Sequence, residues 1–339
     1  MKYILLLPLL MLGDFLFGQV KPDIFPEDIG TPGEQVVRCY CKPGVRNKSR
    51  SKGLELVYAT RGGGTFESED ESIVAPFSRY KNWQRFELDL KAPVIRKEGF
   101  KLLLGYKYSA ELFDFSNIGN DFPETFQELD RVTLKTSNLS VIVNRPLNES
   151  KYLAFRFRYS ANGAYGGALN FASRNAIYKL TGVFGIKKSE DFEWGFGINF
   201  SKSFRQPNIL PFVLYNRNFH NNWGLEAAFP GYVYVRYNLG PKTIFLVGTE
   251  YESKSYRMSV PLANDEQLDY ALNHSELLGL LRMEQQVAPW VWANMRVGYQ
   301  MNFSTDFEAK AANTNAFLVE PTNSVFFEVG IFISPPSTR

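Results

Sequence analysis

The stretch Phe192-Glu193-Trp194-Gly195-Phe196-Gly197-Ile198-Asn199-Phe200-Ser201 decides how this chain folds. Every second residue from Phe192 to Phe200 is large and apolar, and the residues between are small or polar. In an extended strand successive side chains point to opposite faces. One face of this segment is therefore wholly apolar, and the other carries Glu193, Gly195, Gly197, Asn199 and Ser201. A period of two held over about ten residues is also what a tilted strand needs to cross a bilayer. The segment predicts a strand with lipid on one side and a polar interior on the other.

The same pattern recurs outward along the chain. Phe86, Leu88 and Leu90 alternate with Arg85, Glu87, Asp89 and Lys91. Leu153, Phe155, Phe157 and Tyr159 alternate with Ala154, Arg156 and Arg158, and Val291 to Met301 with Trp292 to Asn302. Further strands are expected at Leu54–Arg61, Phe100–Leu112, Val132–Val143, Ile177–Ile186, Ile209–Asn216, Trp223–Phe229, Gly231–Asn238, Thr243–Ser253, Tyr270–Glu284 and Val325–Ile333. The apolar phase of Val132–Val143 slips near Leu139, which predicts a bulge. Pro230-Gly231 reads as a tight hairpin or as a bulge inside one strand.

The links between these strands alternate in length. Residues 61–82, 113–130, 160–175, 202–208, 254–269 and 303–323 are mostly long links; 94–99, 145–150, 187–191, 217–222, 239–242 and 285–289 are short. Long extracellular loops alternating with short periplasmic turns are the mark of outer-membrane barrels. The expected fold is all-β: a transmembrane antiparallel β-barrel of about 12–14 strands, with 14 favoured if Pro230-Gly231 is an outer hairpin. No sustained helical period competes with it. A soluble secreted β-sandwich is the alternative, since it too alternates.

Composition agrees. The 339 residues include 29 Phe, 18 Tyr and 26 Gly but 2 Cys. Mean hydropathy is an ordinary −0.23, as alternation in a barrel requires. A net charge of +3 is too small to argue for nucleic acid, and no nucleic-acid partner is expected. Met1-Lys2-Tyr3 followed by the apolar run Ile4 to Leu12 reads as a secretory signal over residues 1–18, cleaved after Gly18, because the run is too short to span a membrane. Residues 19–52 read as a periplasmic extension, 53–334 as the barrel and 335–339 as a tail. The basic run Lys42, Arg46, Lys48, Arg50, Lys52 reads most simply as a solvated linker; contact with anionic envelope polymers is the sharper reading. Cys39-Tyr40-Cys41 is either unpaired or a strained local disulfide, and with no histidine near it makes a poor zinc site.

Chemistry-bearing residues are sparse. His220 falls in a short turn. His274 and Ser275 are adjacent on an expected strand, so their side chains point apart and cannot share a proton. The acidic run Glu67, Glu69, Asp70, Glu71 lacks calcium-loop spacing. Gly62-Gly63-Gly64, Gly163, Gly166 and Gly167 read as loop residues. No catalytic, cofactor or metal residues are expected, and the chain is not read as an enzyme. The candidate functional set is the inward charges Arg85, Glu87, Asp89, Lys91, Arg156, Arg158, Glu193 and Arg296, with Lys101, Lys107, Glu111, Arg236, Glu276 and Arg282 beside them. Their mixed signs suit a salt-bridged, filled interior or a water-filled pore with weak ion preference. The functional expectations are accordingly a passive channel or small-solute transporter, or a structural or surface-interaction barrel.

The middle of the chain runs Leu210-Pro211-Phe212, turns over Asn216 to Asn222, and continues Trp223-Gly224-Leu225 through Phe229-Pro230 to Val235-Arg236-Tyr237. In this run the sequence resembles the uncharacterised outer-membrane β-barrel families of Gram-negative bacteria. The last strand, Val325 to Ile333 with Glu328, Gly330 and Phe332, is similar to the C-terminal insertion signal of such proteins. It departs by ending on Ser334-Pro335-Pro336-Ser337-Thr338-Arg339 rather than on an aromatic residue. The resemblance implies an outer-membrane location, contact with membrane lipid and lipopolysaccharide, and the barrel assembly machinery as a partner during insertion. It implies no activity and no ligand.

Overall fold

The computed structural model describes residues 43–68, 77–97, 99–261, 266–309 and 317–334. They form a closed sheet of 14 antiparallel strands. The first seven are β1 (Leu54–Ser68), β2 (Ser78–Lys97), β3 (Phe100–Ile118), β4 (Leu134–Pro146), β5 (Lys151–Ala164), β6 (Ala176–Ser189) and β7 (Phe192–Lys202). Then come β8 (Asn208–Asn218), β9 (Trp223–Phe229), β10 (Tyr232–Gly240), β11 (Thr243–Pro261), β12 (Gln267–Ala288) and β13 (Val291–Ala309). The last strand, β14, runs in two pieces, Phe317–Pro321 and Ser324–Ile333. Each strand pairs with the next, and the last closes on the first, with Leu54 opposite Ile333 and Arg61 opposite Phe326. Closure removes the exposed edges that an open sheet would present.

Facing follows the alternation. Phe196, Ile198 and Val247 stand on the outside, each more than half exposed, while Glu193, Asn199 and Ser201 point inward and are buried. Phe155, Phe157, Val213, Val235, Met295, Val297 and Ile331 continue the outer belt. An apolar surface that encircles a molecule is poorly tolerated in water and is what a bilayer covers. Inside, Gly197 is small because a Cβ there would be driven into the Phe212 ring and the Gly182 carbonyl.

Several details differ from the sequence expectations. Pro230-Gly231 is a hairpin between β9 and β10, which gives the larger strand count. No bulge occurs near Leu139: the registers of β4 with β3 and with β5 run unbroken through it. The apparent slip arises because Leu134 and Ile142 are apolar yet face inward, both fully buried. Much of the long links is strand, since β1, β3, β11, β12 and β13 extend past the apolar belt. Gly62-Gly63-Gly64 lies in β1 and Gly163 in β5, not in loops. The link after β3 holds a short helix, α1 (Pro123–Arg131), with Pro and Glu124 in its first turn and Arg131 in its last. Isolated helices of this length are marginal in water, so tertiary packing sustains it: Phe126 and Leu129, three apart on one face, are fully buried.

Candidate functional site

The barrel interior divides into a polar middle and two closed ends. On the side formed by β2, β11, β13 and β14 the inward charges pair. Glu328 accepts from Arg85 at 2.6 Å and from Arg296 at 2.8 Å. Arg85 also approaches Glu252 at 3.5 Å, and Glu250 takes Arg296 and, at 3.3 Å, Arg282. Lys107 pairs with Glu87 at 2.7 Å and Lys91 with Asp89 at 2.6 Å. Nearer the loop end, Glu111 accepts from Lys254 at 2.7 Å, Tyr256 at 2.9 Å and Trp83 at 3.2 Å. A buried ion must be paired or hydrated, and each of these carboxylates has a cation within reach, from the same or the adjacent strand for Asp89 and Glu87 and from more distant strands for Glu328 and Glu111.

The opposite wall is mostly cationic. On β4 to β7 the inward charges are Glu193 and Lys187 at the turn end and, above them, Arg156, Arg158 and Lys179, set among Asn138, Ser140, Ser160, Thr181 and Asn199. Arg158 and Lys179 are directly opposite in the β5–β6 register. Like charges at such positions repel. Between the two walls lies a polar cavity of about 320 Å³, reached by Arg85, Glu87, Asp89, Lys91, Arg156, Arg158, Lys179 and Arg296. Glu193 lies apart from them, at the turn end.

That end is crossed by residues 43–52. The Gly44 amide donates to Glu193 at 2.8 Å; the Ser49 amide and hydroxyl donate to Glu226 at 3.0 and 2.7 Å; the Arg50 amide donates to Glu284 at 3.2 Å. Lys52 pairs with Glu55 at 2.6 Å. Arg46 engages Asp191 in the β6–β7 turn, and its carbonyl accepts from Asn218 at 2.8 Å. Slight burial acts to raise the Asp191 carboxyl, but the bonds from Arg46 and Asn218 outweigh it and hold the group below its ordinary range. The described part of the basic run is thus a docked strap over inward carboxylates of β1, β7, β9 and β12, not a solvated linker. Sequence reading missed it because no local pattern marks partners 149 to 234 residues away.

The loop end is closed by apolar packing. α1 folds into the mouth, with Phe126 5.5 Å from Phe66 and 5.9 Å from Phe307, ring centre to ring centre. Phe307 stacks on Phe317 at 4.7 Å, and Trp83, Leu134, Met258 and Tyr270 complete the cluster.

Residues 115–334 match the family model of a domain of unknown function, DUF6268. The chain belongs to this family. The match begins late in β3, so the strap and the first strands of the DUF6268 barrel precede it. No curated protein matches the chain. Among solved structures it is similar to the COG4313 outer membrane channel from Pseudomonas putida F1, at 11% identity over 88% of this chain and 100% of that one, with a TM-score of 0.41. A FadL homologue of Pseudomonas aeruginosa aligns at 9% identity, over 83% and 89% of the two chains, with a TM-score of 0.37. LpxR from Salmonella typhimurium aligns at 10%, over 82% and 100%, with a TM-score of 0.34.

The histidines of the DUF6268 barrel take separate places. His220 sits in the β8–β9 turn. His274 and Ser275 do point apart: Ser275 bonds Ser253, whereas His274 faces inward between Glu276 at 2.9 Å and Thr305 at 2.7 Å. Arg61 holds Glu276 with two bonds, at 2.6 and 2.7 Å, and lies 4.2 Å from the Trp83 ring centre. Thr305 donates to Asn302 at 2.8 Å, is almost fully buried, and the adjoining cavity is about 40 Å³. Such an arrangement locks strands together. Among the described residues no cluster of His, Cys, Asp and Glu could hold a metal ion. Cys39, Cys41, Glu69, Asp70 and Glu71 lie outside the described residues.

Proposed function

We propose that this protein is a normally closed channel for small polar solutes in the outer membrane of a Gram-negative cell, with the turn end in the periplasm. The observation that carries the reading is the cavity of about 320 Å³ between two closures. A barrel serving only as a membrane staple has no use for a polar mid-lumen chamber. The closures are also distinct from the wall strands: the strap is held by hydrogen bonds and ion pairs, and α1 belongs to the link after β3 and packs into the mouth through Phe126 and Leu129. Rings of charge set the preference of such a passage, and the wall of Arg156, Arg158 and Lys179 favours anions. In this reading residues 1–18 are removed on export, residues 19–52 are the periplasmic extension that ends in the strap, and the assembly machinery recognises β14. The protein transports rather than catalyses.

A filled structural barrel is the second reading, favoured by the apolar closure of the loop end. Planar-bilayer recording separates the two. The full chain is expected to be silent with rare openings, and deletion of residues 19–52 together with replacement of α1 by a short polar linker, which removes both closures, to give steady, anion-preferring conductance. In that background Arg156→Glu with Arg158→Glu should move the reversal potential toward cations. A folded deletion variant that stays silent establishes the filled barrel instead.

A further inference from the structure

The barrel wall is incomplete at the loop end. β9 and β10 stop at Phe229 and Tyr232, whose register partners are Val213 on β8 and Glu250 on β11. β8 begins earlier, at Asn208, and β11 continues to Pro261. Above the hairpin two strands are therefore missing, a notch of roughly 14 Å from three strand spacings. β11 does not stand upright beside it. It leans across to β5, pairing at Arg257 and Gly163, and Asn162 donates to the Ser255 carbonyl at 3.0 Å. The outer ends of β6, β7 and β8 are left outside this inner contact, and between the ends of β6 and β7 and the strand β11 lies a pouch of about 460 Å³.

The pouch contains Arg174, Lys202 and Arg257 against one carboxylate, Asp269, which accepts from Ser259 at 2.6 Å. Arg257 is held over the Phe204 ring, 4.8 Å from its centre. The neighbouring Arg205 is committed elsewhere, to Asp306 and Glu308. The height of the pouch is fixed by the belt: Tyr178, Phe200 and Ile209 are the last outward apolar residues of β6, β7 and β8. Below it, Ile209, Val213 and Phe229 present a continuous exposed apolar face beside the notch.

We infer that this pouch binds the phosphate-bearing head group of an outer-leaflet lipid, whose acyl chains lie along the Ile209, Val213 and Phe229 face. Guanidinium and ammonium groups gathered at the boundary of an apolar belt match that chemistry, since basic pockets recognise anionic head groups and Arg offers paired donors to phosphate oxygens. The notch supplies what a solute site would not need, a side entrance at head-group height. The inference rests on placing the loop end at the outer face of the membrane.

The test uses the full chain in phosphatidylcholine nanodiscs containing bis-phosphorylated lipid A, with retained lipid counted by native mass spectrometry. Wild type should retain lipid A over its dephosphorylated form, and Arg174→Gln, Lys202→Gln, Arg257→Gln combined should weaken retention by about tenfold, the scale of one charge-assisted phosphate contact. Arg257→Lys, which keeps the charge but loses the paired donors, should fall between wild type and the triple variant. Equal retention by wild type and the triple variant overturns the proposal. So does inorganic phosphate at millimolar concentration displacing lipid A from wild type, which makes this a solute site. A protein that does not enter nanodiscs, and stays soluble without detergent, sinks the membrane reading itself, an outcome distinct from either.

Discussion

Phe196→Arg tests the facing on which the fold rests. Phe196 lies at the middle of β7 with 54% of its surface exposed on the outer side, between Gly185's neighbour Phe184 on β6 and Val213 on β8. If that side is lipid, arginine there costs roughly 2–4 kcal/mol near the bilayer midplane, falling toward the interfaces. Asn199, on the same strand, points inward and accepts a bond from Thr181 at 2.8 Å. From alternation alone Asn199→Arg should be nearly silent, hydrated in the lumen. The structure alters that expectation, because Asn199 is 2% exposed. Arginine there overpacks the interior, at about 1–3 kcal/mol, and forfeits a bond of about 0.5–1.5 kcal/mol. Both variants should lose stability, so the discriminating quantity is the dependence on the membrane. Reversible urea unfolding in liposomes of two acyl lengths should give a Phe196→Arg penalty that changes with thickness and an Asn199→Arg penalty that does not. A thickness-independent loss at Phe196 would refute the facing of β7 and the barrel's relation to lipid with it.

Glu328→Gln should destabilise the barrel by about 3 kcal/mol, the low end for breaking a buried pair, because Arg85 and Arg296 lose one carboxylate and keep Glu252 and Glu250; a loss under about 1 kcal/mol in the same urea assay would mean that the lumen is wet enough to screen the pair. Gly163→Val should undo the β5–β11 contact, since Gly163 has φ +151° and a side chain there meets the Arg257 carbonyl. The readout is disulfide crosslinking of Asn162→Cys with Ser255→Cys, expected in the parent and lost in the valine variant; persistence would show that the lean of β11 does not depend on this glycine.

What could be read from the sequence follows from where the solvent changes. Within the belt, β7 and β13 have different solvents on their two faces, so alternation is strong and the strands are legible. Beyond the belt, β11 still pairs with β12, Ser253 opposite Ser275 and Arg257 opposite Ala271, but both outward residues and inward ones are free to be polar. The hydrogen-bonded strand continues while its sequence signature stops, and so a long loop was expected there. Leu134 misled in the opposite sense: its inward face meets the aromatic closure, so an apolar residue stood where a polar one was expected. α1 was invisible because, of its four buried residues, only Phe126 and Leu129 are apolar, and two apolar positions in nine make no sustained period. The pairing of individual lumen charges was also out of reach, since alternation assigns a face to Arg85 but not Glu328, 243 residues away, as its partner.

The distribution of charge inside the barrel bears on what the interior is for. Paired, buried ions such as Arg85, Glu328, Arg296 and Glu250 add little net stability over apolar residues of the same volume, because desolvation consumes most of the attraction. Their pairing satisfies groups that are inside for another reason, and apolar side chains could have filled that volume, as they do at the loop end around Phe126. The wall of β5 and β6 makes the point more sharply. Arg158 opposite Lys179, with Arg156 one inward position away, places like charges where the sheet geometry brings them together, and that arrangement opposes folding. In the channel proposed above, this cationic part of the cavity lining, beside Glu87 and Asp89, is what a visiting anion would meet.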